Sequence, residues 1–317
     1  MKFLSWIKNK LFNGEKKQLH NYYSRYCKYA FIDNLCNSYE QYEASITRLY
    51  HTVEKGLSYE DYRPGFGKEN INTLISSMNN YSKKYDINAM FYKTGLSVLY
   101  QYIKKNNEYE YYDIEIEKKI KELPGEPNNA GGVIEIKNIY VKNKQMNYKE
   151  LMKSRHSIRH FTKLDVDINL IENALKIAQY TPSACNRQGW NTYIISDKEK
   201  MKRVLKNQNG NRGFGEEINK LLLITFDLRY SNRHREIFQA YIDGGMYAAN
   251  ILNALFYEGI GAVPLSASLT KEQEKNIRII LDINEAEVFI LFVGLGNYPE
   301  TCLTTCSERR NIRYKLI

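Results

Sequence analysis

The chain has 317 residues, with 46 Lys+Arg against 36 Asp+Glu and a formal net charge of +10 at pH 7. That length predicts about two domains, and 43% hydrophobic with 26% charged residues excludes wholesale disorder. The longest apolar run, 288–293, falls far short of the ~20 residues needed to span a bilayer; the apolar start breaks at Lys8-Asn9-Lys10 with no small-residue cleavage site, so no secretory signal is expected.

Five cysteines at irregular spacing, with no C-x-x-C pair, predict free thiols in a reducing cytoplasm, not a disulfide framework or a thiolate zinc site. The positive charge admits nucleic acid, anionic lipid or a phosphorylated cofactor without choosing among them. Nucleic acid is not expected, because the 27 tyrosines recur at helix-type apolar positions and no RNP-like or zinc-finger pattern accompanies them. Their abundance reads as compositional bias.

Residues 1–122 are predicted as an all-helical domain. Residues 1–17 form a basic amphipathic stretch suited to weak peripheral contact with an anionic membrane. Apolar residues recur at three- and four-residue steps over 39–55, 71–85 and 87–103, with Gly56 placed to cap the first of these helices. His51 and Glu54, at i and i+3, are expected to be a local polar pair. No metal is expected, since a diiron site needs further carboxylates and a second Glu-x-x-His. The Arg63-Pro64-Gly65-Phe66-Gly67 turn is expected to dock this domain on the next. Prolines and glycines crowd 123–132, so 123–147 is read as a linker.

From 148 to 317 helical and strand patterns alternate. Helices are predicted over 167–180, 197–207, 240–258 and 270–281, and extended segments over 190–196, 221–226, 262–267 and 288–293. Strands alternating with helices predict a sheet covered on its faces, an α+β domain. Gly244/Ala248 and Gly245/Ala249 are small pairs that allow close helix packing in a core or between protomers.

Four segments carry chemistry. Ser154-Arg155-His156-Ser157-Ile158-Arg159 offers two guanidiniums four residues apart, which share a face if helical and suit a dianion. Pro182-Ser183-Ala184-Cys185-Asn186-Arg187-Gln188-Gly189-Trp190 brings amides suited to the edge of a planar heterocycle. Gly259 to Ala267 contains two glycines that allow close backbone approach, and Pro264 fixes the chain. Arg309, Arg310 and Arg313 form a second cationic cluster. Residues 210–215 lack the G-x-G-x-x-G order and are expected to be a mobile or substrate-side loop, with Arg212 and Phe214 as substrate contacts. Cys185, with no resolving cysteine nearby, reads as filling a small apolar slot.

In this order the four segments, spanning roughly 148–313, resemble the FMN-dependent nitroreductase family. The resemblance implies a nitroreductase-like α+β fold, with a central mixed sheet flanked by helices, and a homodimer with flavin at the interface. It implies FMN held through Arg155, His156, Ser157 and Arg159. Pro182, Ser183, Ala184, Asn186 and Gln188 would cover the ring from the second subunit, and Pro264, Leu265 and Ser266 would line it. Arg309 would close on the phosphate. The implied activity is ping-pong hydride transfer from NADH or NADPH to an electron-poor small molecule, with no catalytic side chain. The helical extension is similar to that of nitroreductase-type proteins associated with surface-polysaccharide biosynthesis. A non-catalytic flavin-fold scaffold that recruits partners is the alternative. Gly189 stands where the family pattern has proline.

Overall fold

The computed structural model describes residues 19–20, 36–128, 130–137, 146–230 and 236–317. The stretch 1–17, with its membrane-contact expectation, lies outside them. The chain divides into two compact units, 1–134 with 305–317, and 135–304.

Among the described residues, the first unit's core is formed by helices α1 (Tyr39–Leu57), α2 (Lys68–Ser82), α3 (Met90–Glu108) and α4 (Ile114–Lys121). Helix α1 starts at a capping box in which Ser38 and Gln41 satisfy each other's backbone N–H groups. Its inward face, Ile46, Leu49 and Val53, meets Leu74 and Met78 of α2 and Leu96 and Leu99 of α3 in one buried core. Tyr42, Tyr50, Tyr62, Tyr81, Tyr92 and Tyr102 are structural components of this core, which compositional bias alone does not explain, while Tyr100, Tyr109, Tyr111 and Tyr112 are exposed. Tyr81 and Tyr92 stack inside it with ring centroids 5.5 Å apart. Their hydroxyls reach the turns that would otherwise lack donors. Tyr81 donates to Asp86 O at 2.8 Å, Tyr92 to Pro124 O at 3.0 Å and Tyr102 to Phe66 O at 3.0 Å. A phenol supplies apolar bulk and a polar tip, as a core closed by loops requires. Burial pushes the Tyr92 phenol up to about 12.

Gly56 does not cap α1. The helix continues to Leu57 and is capped by Ser58. A Cβ at Gly56 would lie 2.0 Å from Phe66 Cε2, so glycine is there to admit that ring. The Arg63–Gly67 turn packs on its own unit: Gly65 N–H donates to Asn106 Oδ1 at 2.9 Å, and Phe66 meets Tyr62 and Tyr102 edge-on.

Within the expected linker lies β1 (Val133–Lys137), which pairs with β6 (Thr301–Thr305). The second unit continues with α5 (Tyr148–Ser154), α6 (Ile168–Ala178), β2 (Trp190–Ile195), α7 (Lys198–Asn207), β3 (Lys220–Asp227), α8 (Gln239–Tyr257), β4 (Gly261–Ser266), α9 (Lys271–Leu281) and β5 (Glu287–Gly296). Side-chain caps at Asn147, Asp167, Asp197 and Thr270 start its helices.

The sheet order is β2-β3-β5-β4. The α+β class is as expected. All three pairings are antiparallel, however, where a mixed sheet was expected. After α7 the stretch 208–219 returns the chain to the end where β2 stopped, so β3 runs back along it. Every residue of the central strand β3 is buried. Helix α8 packs on the sheet and on α6, with Ile251 and Leu255 fully buried against Leu222, Ile224 and Val293. Its two small pairs face different ways. Gly244 is buried, and a Cβ there would meet Ile290 at 2.7 Å, whereas one at Gly245 would meet nothing within 4 Å. Tyr241, Ile242 and Met246, beside Gly245, are exposed.

Candidate functional site

Helix α5 ends at Ser154, and Arg155 is already extended, its N–H donating to Leu151 O at 3.1 Å. Arg155 and Arg159 therefore do not share a helical face. The chain instead runs beside the edge strand β4, where Ile158 N–H donates to Ala262 O at 3.0 Å. Residues two and four apart share a side where backbone is extended, as it is at Arg155 (φ −70°, ψ 120°). Arg159 is withdrawn from solvent, 8% exposed, with NH1 donating to Ser157 O at 3.4 Å. Thr304 Oγ1 donates to the same carbonyl at 2.7 Å. Arg155, His156 and Ser157 are half-buried. The Arg155 guanidinium acts on Tyr298, whose phenol burial pushes upward and the cation pulls down. His160, buried, brings Nδ1 to 3.4 Å from Glu217 Oε2, and the same oxygen accepts Phe161 N–H at 3.1 Å. Glu217 thus fixes the far end of this stretch.

The amide loop is shaped by groups distant in sequence. A 3-10 turn spans Ala184–Asn186, and Cys185, Asn186 and Gln188 all have positive φ, 52°, 53° and 49°. Such backbone is strained for residues with a side chain and persists only where its surroundings over-determine it. Buried Asp243 on α8 does this from beneath. Its carboxylate accepts Ala184 N–H at 3.2 Å and Gln239 Nε2 at 2.8 Å. Arg187 holds Ala184 O at 3.0 Å and Glu236 at 2.8 Å. Gln188 N–H donates to Ser183 Oγ at 3.0 Å, and its side-chain oxygen accepts Gln179 Nε2 at 2.8 Å. Gln179 accepts in turn from Trp190 Nε1 at 3.2 Å, while the Trp190 ring stacks on Tyr247 at 4.6 Å. Ser183, Ala184 and Gln188 are half-buried; Pro182, Asn186 and Cys185 are exposed, so Cys185 fills no apolar slot.

Gly189 has a local cause. A Cβ there would stand 2.7 Å from Phe226 Cζ and 2.8 Å from Tyr230 Cβ, so neither alanine nor proline fits without displacement.

On β4, Pro264 is half-buried and Leu265 buried, and Ser266 is exposed. A proline is tolerated here because the strand is at the sheet edge. Ser266 O accepts Gln208 Nε2 at 2.9 Å.

The remaining predicted residues are Phe214 and Arg212, on the 208–219 stretch, and Arg309, in the C-terminal segment. Phe214 is buried at 3% exposure and is an interior anchor of its loop, which Asn211 pins by donating to Leu205 O and Gln208 O at 2.8 Å each. Arg212 is exposed on the same loop. Arg309 belongs to the first unit, where NH1 donates to Ser307 O at 2.9 Å. Asp243, Gln179 and Glu236 were missed by the motif reading. Asp243 had a sequence signal: it is a lone acid in an otherwise apolar run. Among the described residues, no group of three or more His, Cys, Asp or Glu side chains is arranged to hold a metal, and no helix is long and apolar enough to cross a membrane.

Residues 152–211 match the nitroreductase family, a segment that contains both the arginine stretch and the amide loop. A protein of Archaeoglobus fulgidus described as an NADH dehydrogenase/NAD(P)H nitroreductase is 29% identical over 154 residues, 48% of this chain and 84% of its own length. A Caenorhabditis elegans homolog of iodotyrosine dehalogenase 1 is 37% identical over a shorter stretch, 22% of this chain and 20% of that protein. Among solved structures, one from Desulfovibrio desulfuricans described as a nitroreductase in complex with FMN is 16% identical. It covers 54% of this chain and 94% of its own, with a TM-score of 0.44. The segment that holds the arginine stretch and the amide loop is thus similar to the nitroreductase family.

Proposed function

We propose that the second unit is a flavin oxidoreductase. In this reading FMN is held through Arg155, His156, Ser157 and Arg159, NADH or NADPH is the reductant, and an electron-poor small molecule is the acceptor. The observation that carries this reading is the cationic stretch beside β4. It brings half-buried Arg155 and buried Arg159 into one five-residue stretch with Ser157, and the Arg159 guanidinium donates to Ser157 O. Guanidiniums match phosphate oxygens in fork geometry, and a cation shielded from water acts more strongly on a neighbouring ring than one in solvent. Arg159 is the residue placed to favour added negative charge on that ring.

The residues fit such a cofactor. Pro264, Leu265 and Ser266 belong to the sheet-edge strand next to the arginines, a site where backbone N–H groups are not all consumed by a ladder. The loop carrying Pro182, Ser183, Ala184, Asn186 and Gln188 is held in strained backbone by Asp243, the kind of pre-shaping that lowers the cost of binding. Bound FMN supplies two-electron hydride chemistry, so no side-chain nucleophile is required. The Archaeoglobus relative's description and the Desulfovibrio complex support the same assignment of cofactors.

A second copy of the chain is the proposed partner. The exposed strip Tyr241, Ile242 and Met246 flanks Gly245, where the helix surface is open to close approach.

The purified protein should show flavin absorption bands, or take up added FMN, and NADH or NADPH should bleach them anaerobically. Absence of any FMN uptake would remove the proposal. Bound flavin that neither nucleotide bleaches would favour the scaffold reading.

A further inference from the structure

The His51–Glu54 pair belongs to the helical unit. Glu54 is fully buried, and both its oxygens are engaged: Oε1 accepts Gly132 N–H at 2.9 Å, and Oε2 lies 3.0 Å from His51 Nδ1. A carboxylate on one ring nitrogen orients an imidazole and leaves the other nitrogen to face outward. The His51 side chain is 36% exposed and lines a cleft of about 540 Å³ within this unit. Arg48, one turn earlier on α1, lines the same cleft, as does Arg309 from the C-terminal segment.

The chemistry of the cleft is that of an anion site. Guanidiniums around it disfavour a metal ion, and Glu54 has no oxygen left to offer one. Three carboxylates also line it: Glu43 is paired with Arg310 at 3.5 Å and Arg313 at 2.7 Å, and Glu40 and Glu308 are exposed to solvent. Met90 and Phe91, at the start of α3, supply an apolar wall. We propose that this cleft is a second ligand site, which takes a small organic anion. Its phosphate or carboxylate head meets Arg48, Arg309 and His51, and its apolar body lies against Met90 and Phe91.

The test is calorimetric titration of the full-length protein, preincubated with FMN, with phenyl phosphate, benzoate and neutral phenol. At least one of the two anions should bind and phenol should not, and whichever anion binds identifies the head group. Arg48→Ala and Arg309→Ala should each weaken binding about tenfold or more, the loss of a charge-assisted hydrogen bond. Arg155→Ala in the other unit should leave it unchanged. Arg309 is exposed, so its variant reports on the ligand and not on folding. Three outcomes would overturn the proposal: no heat from either anion at millimolar concentration, equal affinity in the Arg309 variant, or displacement of bound FMN by phenyl phosphate.

Discussion

Replacing Gly56 by alanine sets two physical effects against each other. The residue is inside α1 and not in left-handed backbone, so helix propensity alone predicts a gain of about 1 kcal/mol. The new methyl group, however, would sit 2.0, 2.4 and 2.7 Å from three atoms of the Phe66 ring. That ring cannot easily move: Tyr62 lies edge-on at 5.7 Å, Tyr102 at 5.3 Å, and the Phe66 carbonyl is held by the Tyr102 hydroxyl. Overpacking of this kind costs about 1–3 kcal/mol, and three overlaps place it at the upper end. The net expectation is destabilisation by about 2 kcal/mol, or a fall of about 4–8 °C in the melting temperature. Thermal melts followed by far-UV circular dichroism would measure it. Adding Phe66→Leu should relieve the clash, so the double variant should be more stable than the two single losses sum to. A rise in melting temperature for Gly56→Ala alone would refute the packing argument and leave helix propensity as the dominant effect.

Gly189→Pro, which restores the family pattern, should destabilise the second unit by about 1–3 kcal/mol through contact with Phe226 and Tyr230, measured by urea denaturation. An unchanged midpoint would show that the pocket gives way. Asp243→Ala strands the buried-side Ala184 N–H at a local cost of about 1–3 kcal/mol, and it should weaken FMN binding about tenfold or more in a fluorescence titration. The Arg229 guanidinium holds the Asp227 carboxyl below its ordinary value, so the pair stabilises the fold above the usual carboxylate range, and its contribution is lost as pH falls through the lower folded value. Asp227→Asn should therefore shallow the acid limb of a stability–pH curve by up to about 1 kcal/mol, since Arg229 is solvent-exposed.

Periodicity carried most of the fold, because a helix that buries one face must repeat its apolar residues at that spacing. Leu221 to Phe226 and Ala240 to Glu258 needed no partner to be recognised. Gly56 was misread because a glycine near the end of a periodic stretch satisfies the local rule for a cap, while its actual reason is a ring ten residues away. Strand β1 is masked by the prolines and glycines just before it, which signal a linker; Ile134-Glu135-Ile136-Lys137 alternates, but over too few residues to stand out. At the site, the arginine stretch and the amide loop were visible as motifs. What holds them was not. Asp243 meets Ala184 from 59 residues away, and Glu217 reaches Phe161 across 56, pairings that only the folded sheet and helices create. Phe214 illustrates the opposite error: an aromatic in a glycine-rich loop looks like a contact for a ligand, yet burial makes it an anchor.

Fluorescence titration of FMN into the wild-type protein and the Arg159→Ala variant tests the central claim most directly. Loss of a buried charged donor should raise the dissociation constant about 10- to 100-fold and shift the flavin's reduction potential downward. Equal affinity and potential in the two proteins would mean that the stretch beside β4 holds no flavin.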